Sequence, residues 1–464
     1  MLAKYTRFAT TLPVLFAVAC SSKQPPPPKP PAEVPADHNS SNTTATITDS
    51  DPAADAKEDR LIARMLKKVG EARGLTAKAP VPGKVLGRDA LLAKVHAHID
   101  TEVPKQAIVN EGLALQMFGF VPTKFDYEAE TMKLLNAQLA GFYEPADKTM
   151  YMAGDLDDEA AKATLAHELV HSLQDQYWDL KTKSKYVPGQ DDTSSARSAL
   201  AEGDATSAMM DVILLGSGKT ALDLPPDLFT QQIMGSMAGD DTANEPHAMV
   251  ASLVAPYVYG TTFVNQLRRE GGWDAVNKAW DDTHPLTSEQ ILHLDKWKAH
   301  EAAETVADPT VKALGAGWTA VDEDTGGEVG VLLTFEEWMN ERDAKAAASH
   351  WAGDRQTIAT NGTKAALAWH VRYDAAPGDA NAFLKKATPD IFKAVQAKFG
   401  KPSKQGKDFL CFERTDTGPL FVTSKGRELV WIAGPTTTSP DGAWKSAGDC
   451  ALAQKWAEEV AAQK

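Results

Sequence analysis

The chain has 464 residues, of which 43% are hydrophobic and 24% charged. That is enough apolar material for more than one core, and it is the balance of a soluble globular protein rather than a disordered or fibrous one. A formal net charge of -15 excludes nucleic acid as a partner, because a phosphate backbone calls for clustered Lys and Arg; the excess carboxylates read as a solvated acidic surface.

Residues 1–20 carry a targeting signal. Lys4 and Arg7 precede the apolar run Leu12-Pro13-Val14-Leu15-Phe16-Ala17-Val18-Ala19, which ends at Cys20 and is too short to span a bilayer. Residues 1–19 hold no acidic side chain, so losing them takes the net charge from -15 to -17. Small residues before a cysteine resemble the lipobox of bacterial lipoproteins, with Ala17 where Leu is usual. The resemblance implies cleavage before Cys20, acylation of its thiol and attachment to a bacterial envelope membrane through that lipid, the outer membrane being expected. Residues 21–57 include Gln24-Pro25-Pro26-Pro27-Pro28-Lys29-Pro30-Pro31 and a Ser/Thr/Asn/Asp-rich stretch. They have too little apolar surface to fold and are expected to form an extended tether.

From Glu58 the spacing of Leu61, Ile62, Met65, Leu66 and Val69 predicts a helix, and similar patterns follow at Leu91 to Ile99, Ala107 to Phe118 and Tyr127 to Leu139. Residues Gly141 to Met152 read as a hairpin around Pro145-Ala146-Asp147. Helices are predicted over 158–178 and over Ser194 to Leu215. Gly271-Gly272 reads as a helix stop. Beyond residue 300, β-like segments at Ala365 to Val371, Asp408 to Phe412, Leu420 to Thr423 and Glu428 to Ile432 mix with helices. The expectation is an α+β protein: a mainly helical domain with a small sheet over 58–300, then a smaller α+β domain over 301–464. Once Cys20 is set aside, Cys411 and Cys450 remain and can pair in an oxidising compartment.

The chemistry concentrates at His167-Glu168-Leu169-Val170-His171. On a helix, residues four apart project from one face, so both imidazoles can hold one metal ion while Glu168 reaches its water. These are the parts for metal-assisted hydrolysis, with Glu168 as general base. A catalytic zinc needs a third protein ligand and an open position. Glu202, His247, His284 and His293 are the downstream candidates. Glu202 stands out because a carboxylate among Ala199, Leu200, Ala201, Gly203 and Ala205 is expensive to bury unless paired or metal-bound. Gly203 and Ala205 would let its helix approach the first one closely.

At these residues the sequence resembles the gluzincin class of metallopeptidases, in which His-Glu-x-x-His is completed by a Glu from a following helix. More closely it resembles a family of bacterial exported proteins with Ala-His-Glu-Leu-x-His-x-Leu-Gln-Asp-Gln, here Ala166 to Gln176, followed by Glu-Gly-x-Ala, here Glu202 to Ala205. Gly141-Phe142-Tyr143, Ser288 to His293 and Gly353-Asp354-Arg355 look like that family too. The resemblance implies a zincin-like fold, one zinc per chain held by His167, His171 and Glu202, a peptide or protein substrate, and a substrate-lining strand at Thr149 to Ala153. Asp175 or Asp204 can orient a ligating imidazole. Tyr257, Tyr259 and His293 are candidates to stabilise the oxyanion, with His293 and Tyr259 preferred. The resulting expectation is an envelope-anchored zinc metalloprotease. The alternatives are a metal-containing lipoprotein that binds a partner without catalysis, and a hydrolase of cell-wall peptides.

Overall fold

The computed structural model describes residues 52–225 and 245–463; the leader, Cys20 and the tether as far as residue 51 lie outside them. The architecture is α+β. Helix α1 (Pro52–Arg73) starts at Pro52 rather than at Glu58, because proline's fixed φ suits a first helical turn and Ala53, Ala54 and Ala56 favour helix. Ile62, Met65, Leu66 and Val69 are buried as the spacing predicts, but Leu61 sits at the border of the stripe and is 46% exposed.

Strand β1 (Gly83–Leu86), α2 (Arg88–Glu102), α3 (Lys105–Phe118) and α4 (Tyr127–Gln138) lead to the hairpin β2 (Gly141–Glu144) and β3 (Thr149–Ala153). β1 is too short for its periodicity to be read in the sequence. Among the described residues the three strands form one sheet in the order β1-β3-β2, with β1 parallel and β2 antiparallel to β3. β3 is therefore central. Thr149 to Ala153, expected to line a substrate, spends its ladder groups on both neighbours, and the sheet's outer edges belong to β1 and β2.

Helix α5 (Asp158–Trp178) follows, capped by Asp157 Oδ1, which accepts from the backbone N–H of Glu159 (3.0 Å) and Ala160 (2.8 Å). Leu165, Ala166, Leu169, Val170 and Leu173 are all buried in the first core. At about 1.5–3 kcal/mol for each large side chain, this burial holds the motif rigid. Helix α6 (Asp191–Leu214) packs on it, and the long α7 (His247–Asp281) packs on α6. Gly203 does not serve the approach to α5 that the sequence suggested. It meets Gly260 of α7: a Cβ on Gly203 would lie 2.1 Å from the Gly260 carbonyl carbon, and one on Gly260 1.8 Å from the Ala199 oxygen. Ala205, by contrast, shares the core with α5. α7 breaks at Gly271-Gly272, where Gly272 takes φ 63°, and then resumes. Helices α8 (Ser288–Leu292) and α9 (Leu294–Ala299) follow.

The C-terminal half holds β4 (Thr319–Asp324), α10 (Gly327–Glu336), α11 (Glu341–Ala348), β5 (Trp351–Asn361), β6 (Lys364–Tyr373), α12 (Ala382–Phe399), β7 (Lys404–Gln405), β8 (Phe409–Phe412), β9 (Leu420–Lys425), β10 (Glu428–Thr437), β11 (Lys445–Ser446) and α13 (Cys450–Ala461). Seven strands run in the order β4-β5-β6-β10-β9-β8-β7, and β11 pairs with β10. All these pairings are antiparallel. The strand period of two sends Leu367, Trp369, Val371, Leu429 and Trp431 to one face. Ala366, Ala368, Val430 and Ile432 go to the other. α13 covers that second face, and the Cys411–Cys450 disulfide ties its first residue to β8. The first face receives α3: Phe118 lies 6.1 Å from the Trp369 ring and 6.0 Å from Trp431. Helix α3 thus belongs to the core of a sheet that begins about two hundred residues later.

Two sequence motifs turn out to be structural braces, the first within the C-terminal half and the second across the two halves. Asp354 is 2% exposed and accepts from the N–H groups of Gly326 and Gly327 (both 2.9 Å) and from the indoles of Trp351 and Trp369 (both 3.0 Å). Ser288 donates from its N–H (2.9 Å) and Oγ (2.5 Å) to Asp192 Oδ1, and its Oγ also accepts from the Val329 N–H at 3.1 Å. Burial pushes the Asp192 carboxyl up to about 7. In the unfolded chain it returns to about 3.9. The fold therefore binds more protons, so this contribution is complete below pH ~4 and is lost as pH rises to about 7. Asp192→Asn keeps the acceptor for Ser288 and removes the charge. Urea unfolding at pH 5 and pH 8 is expected to show the variant gaining about 2–3 kcal/mol on the parent between the two; parallel pH slopes would contradict the assignment.

Candidate metal centre

Helices α5 and α6 bring His167, His171 and Glu202 together. His167 Nε2 lies 3.0 Å from Glu202 Oε2 and 3.2 Å from His171 Nε2, and His171 Nε2 lies 3.5 Å from the same carboxylate oxygen. A tetrahedral zinc with bonds of about 2.0–2.1 Å holds its ligand atoms about 3.3 Å apart, so the edges of this donor triangle match that ion. The donor chemistry also fits: two imidazoles and a carboxylate are zinc ligands. Thirty-one residues separate His171 from Glu202 in sequence, and the pairing of α5 with α6 closes that gap.

Glu168 faces the same region. Its Oε2 accepts from the Tyr143 N–H at 3.1 Å, while Oε1 is buried and has no hydrogen-bond partner among the described residues. Glu168 Oε1 is thus a buried acceptor left open, a position that ordinarily calls for a partner. Burial, reinforced by the Glu202 charge, raises the Glu168 carboxyl well above its ordinary value. Burial also pushes Glu202 up, but the His171 ring and the hydrogen bonds to both histidines outweigh it and hold that carboxyl below the usual range. His167 is lowered by burial, which keeps it neutral and able to ligate.

The support around His171 differs from the expectation. Neither Asp175 nor Asp204 orients its ring. Gln174 does: its Oε1 sits 2.8 Å from His171 Nδ1, and its Nε2 donates to the Ala201 carbonyl (3.0 Å) and to Asp204 Oδ2 (3.2 Å). With Nδ1 as the donor, Nε2 is left as the lone pair facing the site. Gln174 lies three residues after His171 on the same helical face, a spacing that could have flagged it. Asp204 stands one step back, bound by Arg73 through both Nε and Nη2, the latter at 3.1 Å, and by the Trp280 indole at 2.9 Å. Arg73 also lies 4.4 Å from the Trp273 ring centre. Asp175 instead accepts from the Tyr143 hydroxyl at 2.9 Å. No sequence signal ties Arg73 to Asp204 across 131 positions.

His293 and Tyr259 do not join the centre. His293 Nε2 lies 2.9 Å from Glu328 Oε1, and both His293 and Tyr259 line a separate cavity whose walls include none of His167, Glu168, His171 and Glu202. The reason is helical phase: residues two apart on α7 point about 200° apart, so Tyr257, not Tyr259, faces the site. The Tyr257 ring lies 6.0 Å from that of His167, nearly parallel. His247 pairs with Glu337 at 2.7 Å and His284 with Asp282 at 2.6 Å, so the other histidine candidates for the third ligand are engaged elsewhere.

Residues 312–443 match the family model described as a domain of unknown function (DUF8575). The match covers well under half of the chain, runs from just before β4 to just past β10, and contains none of the residues of the metal centre. No curated protein matches the chain.

Proposed function

We propose that the protein is a zincin-like, zinc-dependent hydrolase of peptide bonds. The observation that carries this reading is the zinc-sized donor triangle of His167, His171 and Glu202 beside the unpartnered Glu168 Oε1. A zinc ion held by the three would supply Lewis acidity for a water and a carbonyl. The chain's own residues then do the rest. Glu168 Oε1 takes a proton from the attacking water and passes it to the departing amine. Tyr143 N–H fixes the carboxylate by its other oxygen, and Gln174 fixes the His171 tautomer. Tyr257 closes the wall beside His167. Lipid attachment at Cys20 and an envelope location belong to the same reading, and the Cys411–Cys450 disulfide supports an oxidising compartment.

One observation favours a second reading, a metal-holding envelope protein without catalysis: His167, Glu168, His171 and Glu202 are each 2% exposed or less. A substrate reaches such a centre only if the wall moves. Elemental mass spectrometry of the purified full chain is expected to find about one zinc per chain, lost or greatly weakened in Glu202→Ala. A folded parent that takes up no zinc when supplied with it ends both readings. With zinc present, cleavage of casein or of purified peptidoglycan separates the hydrolase from the binding protein and identifies the substrate class.

A further inference from the structure

The cavity that holds His293 and Tyr259 measures about 760 Å³, within the ordinary range of about 300–1,000 Å³ for small-molecule sites. Val254, Val258, Leu332, Leu333 and Met339 give it apolar walls, contributed by α7, by α10 and by the turn after α10. Its charged lining is mostly self-compensated. His293 is paired with Glu328 at 2.9 Å, Lys345 with Glu341 at 2.5 Å, and His247 with Glu337 at 2.7 Å.

Two acceptors are left over. Glu336 also lines the cavity and has neither a hydrogen bond nor an ion pair among the described residues. Glu328, 3% exposed, has its second oxygen without a partner. A carboxylate oxygen buried without a partner, as Glu328 Oε2 is, is costly to leave unpaired, whereas half-buried Glu336 offers its charge to the cavity at its open side. The nearest cationic groups in the wall, His247 and Lys345, act on Glu336 only at a distance and are ion-paired with Glu337 and Glu341. We propose that this cavity binds an organic cation, an alkylammonium or guanidinium group on an apolar body, with Glu336 as its counter-ion and Glu328 as a secondary acceptor. The apolar body fills the space between Val258 and Leu332. Several of these residues, Glu328, Leu332 and Glu336 among them, lie inside the 312–443 match, so the site belongs to that domain together with α7. It is independent of the metal centre, from which Tyr257 and Tyr259 divide the two faces of α7.

Isothermal titration of the full chain with 2-phenylethylamine, with its carboxylate counterpart 3-phenylpropanoate, and with a short apolar peptide bearing one lysine tests this. The amine is expected to bind, the carboxylate not, and chelation of zinc to leave the amine affinity unchanged. Glu336→Gln is expected to weaken the amine at least tenfold, and Val258→Trp, which fills the cavity, to abolish binding while thermal melting shows an intact fold. A peptide that binds more tightly than the free amine identifies a basic side chain as the natural occupant; the reverse order identifies a small amine. Absence of amine binding, equal binding of amine and carboxylate, or an undiminished affinity in Glu336→Gln overturns the proposal.

Discussion

Glu168→Gln is expected to leave the zinc content unchanged and to lower hydrolysis by about 10²–10⁴-fold, the range for loss of a positioned general base. The substitution is close to isosteric, and its side-chain carbonyl can still accept from Tyr143 N–H, which now bonds Oε2 at 3.1 Å. What disappears is the basic oxygen Oε1, the buried atom that has no other partner. Metal analysis and turnover of casein, measured on the same preparation, separate the two effects. A variant that keeps both its zinc and its full activity would show that the proton goes elsewhere, and one that loses its zinc would show Glu168 to be part of the coordination.

Asp204→Ala is expected to destabilise the fold by about 3–5 kcal/mol, because it leaves the Arg73 guanidinium buried without its counter-charge. Both side chains are fully buried, and Asp204 also accepts from Trp280 and Gln174. The same change has a second readout. Gln174 loses one of its anchors, so the His171 tautomer is held less firmly and zinc affinity is expected to fall by about 10–100-fold. Urea unfolding and a zinc titration of the folded variant measure the two quantities separately. A double replacement, Arg73→Met with Asp204→Ala, removes the stranded charge and is expected to recover most of the stability but little of the affinity. If the double variant is no more stable than Asp204→Ala alone, the ion pair is not the source of the loss.

The two outcomes also bear on the burial of the site. Glu202, Asp204 and Arg73 are all buried, and Arg73 on α1 pairs with Asp204 on α6, so this side of the site is closed by an ion pair. On other sides the Tyr257 ring of α7 stacks near His167, and the Tyr143 N–H of β2 points away from β3 toward Glu168.

The sequence by itself determined several of the local elements and the clustering of His167, Glu168 and His171 on one helix. The helix at 158–178 is set by its apolar period and the Asp157 cap. The hairpin is set by its turn residues, and the β-like segments at Asp408 to Phe412 and Leu420 to Thr423 form strands at Phe409–Phe412 and Leu420–Lys425. His167, Glu168 and His171 are close on one helix whatever the rest of the chain does, because their spacing is fixed by 3.6 residues per turn. Tertiary structure decided everything that depends on which faces meet. It placed β3 in the middle of its sheet, since strand order is a matter of pairing and not of composition. It sent Gly203 to Gly260 rather than to α5, and turned Tyr257 instead of Tyr259 toward His167. It made Gln174, not an aspartate, the partner of His171, and buried Arg73 against a carboxylate 131 residues away. It also put α3 into the core of the C-terminal sheet. Apart from the Gln174–His171 bond, which is local and is held in place from α6 by Ala201 and Asp204, each of these rests on contacts between segments distant in the chain, where side-chain volume and unpaired polar groups choose among packings that local periodicity leaves equivalent.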